Sequence, residues 1–234
     1  MSVIAILTAG GTGSRMQNNI PKQFLTVNEI PIIIYTLQQF QNNKNIEKIV
    51  IACLKEWQPV LRAYSREFNI SKLVDIVEGG ETGIDSIKNC YSILEEVGKG
   101  DIVMVHDGNR PLVDDDIIDR NIEAARVTGA TTTYIDIHDG IVSVDDSLKI
   151  LKSDIKRSGI KSTQTPHAFT AETLNALFPK IENVSEYISL ADAATRLGFE
   201  VTLVKGSELN FKITTPNDLA VFESIINTRF GNNV

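Results

Sequence analysis

Cysteine, histidine and tryptophan are scarce in this chain: its 234 residues include two cysteines, three histidines and one tryptophan. Cys53 and Cys90 stand in apolar surroundings and are too few for a disulfide framework. Buried free thiols in a reducing compartment are the expectation. The histidines, at positions 106, 138 and 167, share no zinc-type spacing with either cysteine, which excludes a structural zinc site. No apolar run approaches the ~20 residues of a membrane span. The N-terminus enters an apolar run with no cationic segment before it, so no signal peptide is expected and the cytoplasm is the expected compartment. Basic residues are outnumbered, 23 Lys and Arg against 30 Asp and Glu, for a net charge of −7. That argues against broad nucleic-acid binding but permits a local basic pocket. No repeat, low-complexity tract or linker divides the chain. At this length, with 42% hydrophobic residues, it reads as a single α/β domain spanning 1–234.

Glycine is concentrated where it matters. The apolar run Val3-Ile4-Ala5-Ile6-Leu7 leads into Thr8-Ala9-Gly10-Gly11-Thr12-Gly13-Ser14-Arg15-Met16 and on to Pro21-Lys22-Gln23. Glycines 10, 11 and 13 let the backbone bring its N–H groups against an anion. Arg15 and Lys22 add two cations within reach. The dinucleotide fingerprint G-x-G-x-x-G fails because Met16 occupies its last glycine position. A P-loop fails because no Lys-Ser or Lys-Thr follows at the required spacing. A ligand-free strand-to-helix turn leaves Arg15 and Lys22 unexplained. A polyphosphate cradle in a nucleotide-using enzyme explains both.

β-Branched runs alternate with helical patterns along the rest of the chain. Strands are expected at 3–7, 46–52, 73–77, 101–105, 131–135 and 200–204. Ile84, Ile87, Tyr91, Leu94 and Val97 recur at helical spacing, as do Ile118, Ile122 and Ala125 after Asp114, a candidate N-cap. Thr215-Pro216-Asn217-Asp218 gives a cap, an N1 proline and an N3 acid to a last helix whose apolar face is Leu219, Phe222 and Ile226. The alternation implies a mostly parallel sheet with helices on both faces, its ligands bound at the carboxyl ends of the strands. From about 138 to 162 the rhythm breaks. Two short β-like runs around Asp145-Asp146-Ser147 read as an inserted hairpin, whose edges want a partner: a homodimer arm or, more plainly, a solvated excursion.

Three further clusters carry chemistry. His106-Asp107-Gly108-Asn109-Arg110-Pro111 follows an apolar strand. An aspartate there suits a Mg²⁺–phosphate site, and Arg110 can fork onto a phosphate; a surface Asp–Arg pair is the plainer alternative. Gly79-Gly80-Glu81-Thr82-Gly83-Ile84-Asp85-Ser86 is a second glycine loop opening a helix, either a ligand site or an ordinary cap. Asn210-Phe211-Lys212-Ile213-Thr214-Thr215-Pro216 sets a cation just before the last helix, where a solvated lysine would also be unremarkable.

These motifs, in this order, closely resemble the CTP-dependent cytidylyltransferases that make CDP-methylerythritol or CDP-ribitol. The A-G-G-x-G-x-R-M…P-K-Q start, the H-D-x-x-R-P block, Thr165-Pro166-His167-Ala168-Phe169 and the N-x-K-I-T-T-P-x-D-L ending cover essentially the whole chain. Gly-Gly-Thr-Gly, Gln164-Thr165-Pro166 and Lys212-Ile213-Thr214-Thr215-Pro216 resemble the ribitol-5-phosphate branch, which serves cell-wall or capsule polysaccharide, more than the methylerythritol branch of isoprenoid synthesis. The resemblance implies a Rossmann-like α/β domain with a β-arm that interlocks in a homodimer. It implies that Thr8, Ala9, Gly10, Gly80, Glu81 and Ser86 meet the nucleotide and that Gly11 to Gly13 wrap its phosphates. Arg15 and Lys22 would stabilise the transition state, and Asp107 would serve Mg²⁺ and the ribose. Arg110, Lys212 and, from the partner's arm, Arg157 would hold the acceptor phosphate, with Lys212 also catalytic. The acceptor phosphate is already an anion at pH 7, so His106 and His167 are not needed as bases.

Four positions depart from the pattern of that family. Gly83 stands where an arginine is usual, Asn109 where small residues are usual, Gly140 for an arm threonine, and Ala191 for the threonine before Asp192. All four bear on the acceptor, which is expected to be a polyol phosphate, with ribitol 5-phosphate first and methylerythritol 4-phosphate second. A non-catalytic nucleotide sensor is the alternative from another class, and a nicotinamide oxidoreductase is disfavoured by Met16.

Overall fold

The computed structural model describes residues 1–11, 20–94, 97–152 and 156–231. Its strands are β1 (Val3–Ala9), β2 (Thr26–Val27), β3 (Ile30–Pro31), β4 (Lys48–Cys53), β5 (Leu73–Glu78), β6 (Ile102–Asp107), β7 (Ala130–Asp136), β8 (Ser143–Val144), β9 (Ile150–Lys152), β10 (Lys161–Thr170) and β11 (Thr202–Lys205). Its α-helices are α1 (Ile32–Asn42), α2 (Gln58–Glu67), α3 (Gly83–Ser92), α4 (Asp115–Thr128), α5 (Ala171–Leu177), α6 (Leu190–Arg196) and α7 (Pro216–Gly231). The six expected strands are all present, with ends shifted by one or two residues.

Seven strands form one sheet in the order β11-β7-β10-β6-β1-β4-β5. Every neighbouring pair is parallel except those made by β10, which runs against both β6 and β7. Strand alternation divides the core between two faces. Ala5 and Leu7 of β1 face α1 and α4, while Ile6 faces α3 and α5. A third cluster seats Phe222 and Ile226 of α7 against Ile32 and Tyr35 of α1. The mostly parallel sheet covered on both faces is therefore as expected.

The expected caps are present. Asp114 Oδ1 accepts from Ile117 N at 2.8 Å, and the carboxylate of Asp218 accepts from the backbone N–H groups of Thr214 and Thr215, both at 2.8 Å. α3 stops at Ser92, so Leu94 and Val97 pack beyond the helix and do not continue its face. β8 and β9 pair antiparallel as a hairpin between β7 and β10, apart from the main sheet. Residues 153–155 of the expected excursion lie outside the described residues. Cys53 and Cys90 are free and buried. Among the described residues no helix is long and apolar enough to cross a membrane.

Candidate active site

Parallel pairing through β4 sets the carboxyl ends of β1 and β5 on one edge of the sheet, flanking that of β4, and their two glycine loops meet there. A Cβ on Gly79 would lie 3.4 Å from Gly10 Cα. One on Gly80 would lie 2.3 Å from Asp85 Cβ, which only glycine avoids. Thr82 caps α3 in a reciprocal box with Asp85. The Ser86 hydroxyl donates to Thr82 O and accepts from Gly80 N, both at 3.0 Å, so it also braces the second loop.

Beside these loops lies a cavity of about 250 Å³. Thr8, Ala9, Gly10, Gly11 and Lys22 line it from the first loop region, and Gly80, Glu81 and Ser86 from the second. Gln23, Thr82, Gly83, Asp107, Asn109 and Lys212 complete the wall. Every expected nucleotide-contacting residue that is described thus borders one cavity. Gly13 and Arg15 lie outside the described residues.

Asp107, the last residue of β6, is held between two cations. Its Oδ2 accepts from Arg110 Nε and its Oδ1 from Lys212 Nζ, each at 2.9 Å. Burial works to raise the Asp107 pKa, but the charges of Lys212 and Arg110 outweigh it and hold the carboxyl well below the ordinary range. The group is therefore a fixed anion. Arg110 Nη1 also donates to Asn210 O at 2.8 Å, and buried Asn210 donates to Thr165 O at 2.8 Å. The segment before α7 is thereby tied to β10.

His106 shows how this corner is organised. Its Nε2 lies 3.1 Å from Arg110 O, a pure acceptor, so Nε2 carries the proton of the neutral ring. Nδ1 then accepts from the Thr165 hydroxyl at 3.1 Å, while Thr165 Oγ1 accepts from Asp107 N at 3.0 Å. Burial holds His106 and His167 down to about 4, and His167 bonds the Thr132 hydroxyl at 2.8 Å. Both are neutral hydrogen-bonding residues, and His167 also lines the cavity beyond Asp107.

A second cavity of about 400 Å³ continues past Asp107. Arg110, Thr163, Gln164 and Ser189 line it, and Thr8, Thr82, Gly83, Asp107 and Lys212 border both cavities. Gly83 therefore lies between the two halves, and a Cβ there would meet nothing within 4 Å. Two of the four departures have structural duties. Asn109 donates its amide to Ile213 O at 2.5 Å and accepts Ile213 N at 2.9 Å on its own carbonyl. Ala191 is buried inside α6, and the hydroxyl at the mouth is that of Ser189, the N-cap of α6. Gly140 has open space around it. Arg157 is not brought to this chain's own cleft; its Nη1 donates to His138 O at the base of the hairpin.

The motif reading gave no role to Gln23 or Thr165, although both sit inside quoted motifs. Thr165 secures Asp107 from the antiparallel strand. Gln23 Nε2 donates to Ala9 O at 2.6 Å and Gly11 O at 3.1 Å. Their contacts join segments distant in sequence, and spacing alone carries no signal for them.

Residues 3–228 match the family described as IspD, 2-C-methyl-D-erythritol 4-phosphate cytidylyltransferase. A ribitol-5-phosphate cytidylyltransferase of Vibrio parahaemolyticus is 38% identical, covering 97% of this chain and 96% of its own length. A 2-C-methyl-D-erythritol 4-phosphate cytidylyltransferase of Clostridium novyi is 36% identical, covering 95% of each. The 4-diphosphocytidyl-2C-methyl-D-erythritol synthase structure from Anaerococcus prevotii superposes with a TM-score of 0.82 at 22% identity, over 97% of this chain and 98% of that one, a likeness of fold.

Proposed function

The chain belongs to the 2-C-methyl-D-erythritol 4-phosphate cytidylyltransferase (IspD) family, and we propose that it transfers CMP from CTP to D-ribitol 5-phosphate. It is a CTP-dependent nucleotidyltransferase whose substrates are CTP and a polyol phosphate. The observation that carries the proposed mechanism is the Lys212–Asp107–Arg110 cluster at the junction of the two cavities. CTP occupies the glycine-lined half, and the acceptor phosphate sits against Arg110 and Lys212. An oxygen of that phosphate attacks the α-phosphorus of CTP in line, the bond to the β-phosphate oxygen breaks, and pyrophosphate leaves. The nucleophile is already ionised, so no base is required. The task is to gather anions and stabilise added charge, which Arg15, Lys22 and Lys212 perform.

Mg²⁺ fits this site through the phosphates and not through a protein cage. Among the described residues no three His, Cys, Asp or Glu side chains cluster for a metal. Asp107 supplies one permanently ionised carboxylate, each oxygen of which keeps a lone pair beyond its cationic partner. One such ligand is enough for Mg²⁺ completed by phosphate oxygens and water. When bound, the ion would neutralise phosphate charge.

The proposed assembly is a homodimer. The hairpin leaves Leu148 81% and Leu151 67% exposed, an apolar surface suited to a partner copy. Arg157, at the base of that arm, would then reach the partner's acceptor half. The cytoplasm, where CTP is made, is the proposed compartment, and the free thiols of Cys53 and Cys90 agree with it. Methylerythritol 4-phosphate is the second acceptor, favoured by the 36% identical Clostridium relative. Pyrophosphate release from CTP, assayed with each polyol phosphate in turn, tests the assignment: turnover with ribitol 5-phosphate supports it, and silence with every alditol phosphate refutes it.

A further inference from the structure

Gly10 and Gly11, which open the first glycine loop, have no side chains to pack, so anything that fixes their backbone must come from elsewhere. Gln23 supplies that restraint. The residue is 2% exposed, and its one amide nitrogen reaches two backbone carbonyls, Ala9 O at 2.6 Å and Gly11 O at 3.1 Å. The two carbonyls bracket Gly10, where β1 turns into the cavity. The turn bearing Gln23 is itself anchored. Phe24 is buried and stacks on Trp57 with ring centroids 4.5 Å apart. Phe24 N donates to Pro21 O at 2.8 Å, and Leu25 N donates to Lys22 O at 3.2 Å, closing the turn. Lys22 leads the same turn and lines the cavity.

We infer that Gln23 is a positioning residue for the nucleotide half: by clasping Ala9 and Gly11 from the turn that carries Lys22, it sets the glycine loop and the Lys22 cation in one fixed relation. The inference rests on assigning that half to CTP. A buried glutamine that merely satisfied two carbonyls would lower stability if lost, without singling out one substrate. A register device slows turnover and raises the KM for CTP while leaving the acceptor KM alone, because displacing a charge-stabilising group by an ångström costs up to about a hundredfold in rate.

The test is Gln23→Met, close in shape but lacking the donor, with folding checked by circular dichroism. The expected result is a fall of roughly ten- to a hundredfold in kcat/KM for CTP, with the acceptor KM unchanged within about twofold. Trp57 is the chain's single tryptophan and stacks on Phe24 of this turn, so its emission is the probe of the turn's response to CTP. The CTP-induced change in the wild type should be weakened in the variant. Gln23→Glu, which turns acceptors toward both carbonyls, should be more impaired still. A folded Gln23→Met enzyme with unaltered CTP kinetics, or one whose KM rises equally for CTP and for the acceptor, overturns the inference. Wild-type protein that neither binds nor turns over CTP defeats the assignment of the cleft itself. Should Gln23→Met not fold, hydrogen exchange on the wild type decides. CTP must protect residues 7–11 and 20–25 together, and protection of one segment alone contradicts the coupling.

Discussion

Lys212 Nζ stands 2.9 Å from Asp107 Oδ1 across 105 residues of sequence, joining the approach to α7 to the end of β6. This pair stands where the two cavities meet, so it fixes the lysine that the acceptor phosphate would meet. Lys212 keeps 39% of its side chain exposed, against 17% for Asp107, which leaves the cation accessible while its anchor is covered. Lys212→Ala and Asp107→Asn should each reduce kcat by on the order of 10²–10³-fold, the scale for losing one preorganised charge-stabilising group. Steady-state pyrophosphate release measures both, and a loss under tenfold for Lys212→Ala speaks against its role.

Lys22→Ala should lower kcat by a similar factor, about 10²-fold or more, with a smaller rise in the CTP KM. A rise in KM with kcat intact would mean that Lys22 binds CTP without favouring the transition state.

The buried histidines predict an acid weakness. His106 and His167 are held by burial at about 4, against an ordinary 6.5. Between those values the unfolded chain takes up protons that the folded chain refuses, so stability falls as pH drops through that window, by up to about 3 kcal/mol per histidine. Asp107 contributes in a different range. Burial opposes its ionisation but Lys212 and Arg110 prevail, so its folded pKa is depressed and its contribution persists until the pH falls below about 4. Thermal melts from pH 7.5 to 4.5 should show a falling Tm, and His167→Gln should flatten the slope. A Tm independent of pH in that window contradicts the account.

What the sequence disclosed follows physical locality. β1 with Gly10 and Gly11, the end of β6 and the cap of α7 are short continuous signals, and each is where its pattern put it. β10 carries no strand signal in the sequence, because it opens with polar Lys161-Ser162-Thr163-Gln164 and contains Pro166. α1 carries no expectation from the sequence, because it opens Ile32-Ile33-Ile34, a continuous apolar run whose periodicity does not distinguish helix from strand. Asn109 and Ala191 have structural duties that the sequence does not show, toward Ile213 and in the core of α6, since both contacts are non-local or depend on which face of a helix is covered; Asn109 also lines the nucleotide-side cavity. Gly83 and Gly140 stand free of such duties and remain the departures open to a role in acceptor choice.

The proposed arm makes a prediction that dimer symmetry sharpens. If Arg157 serves the partner's acceptor half, Arg157→Ala and Lys212→Ala proteins are each impaired alone. Mixed dimers, however, contain one intact site. Unfolding and refolding the two together should restore activity to about a quarter of the wild-type level, since half of the dimers are mixed and each has one good site of two. Failure to recover any activity, with dimers verified by sedimentation, removes Arg157 from the site.

The most direct measurement is a competition in one tube. The enzyme receives CTP, Mg²⁺ and equal concentrations of ribitol 5-phosphate and methylerythritol 4-phosphate, and mass spectrometry counts the two CDP-polyol products. The account predicts CDP-ribitol in at least roughly tenfold excess, the discrimination available from about 1.4 kcal/mol of preferential transition-state binding. A predominance of CDP-methylerythritol, or consumption of neither acceptor, would contradict it.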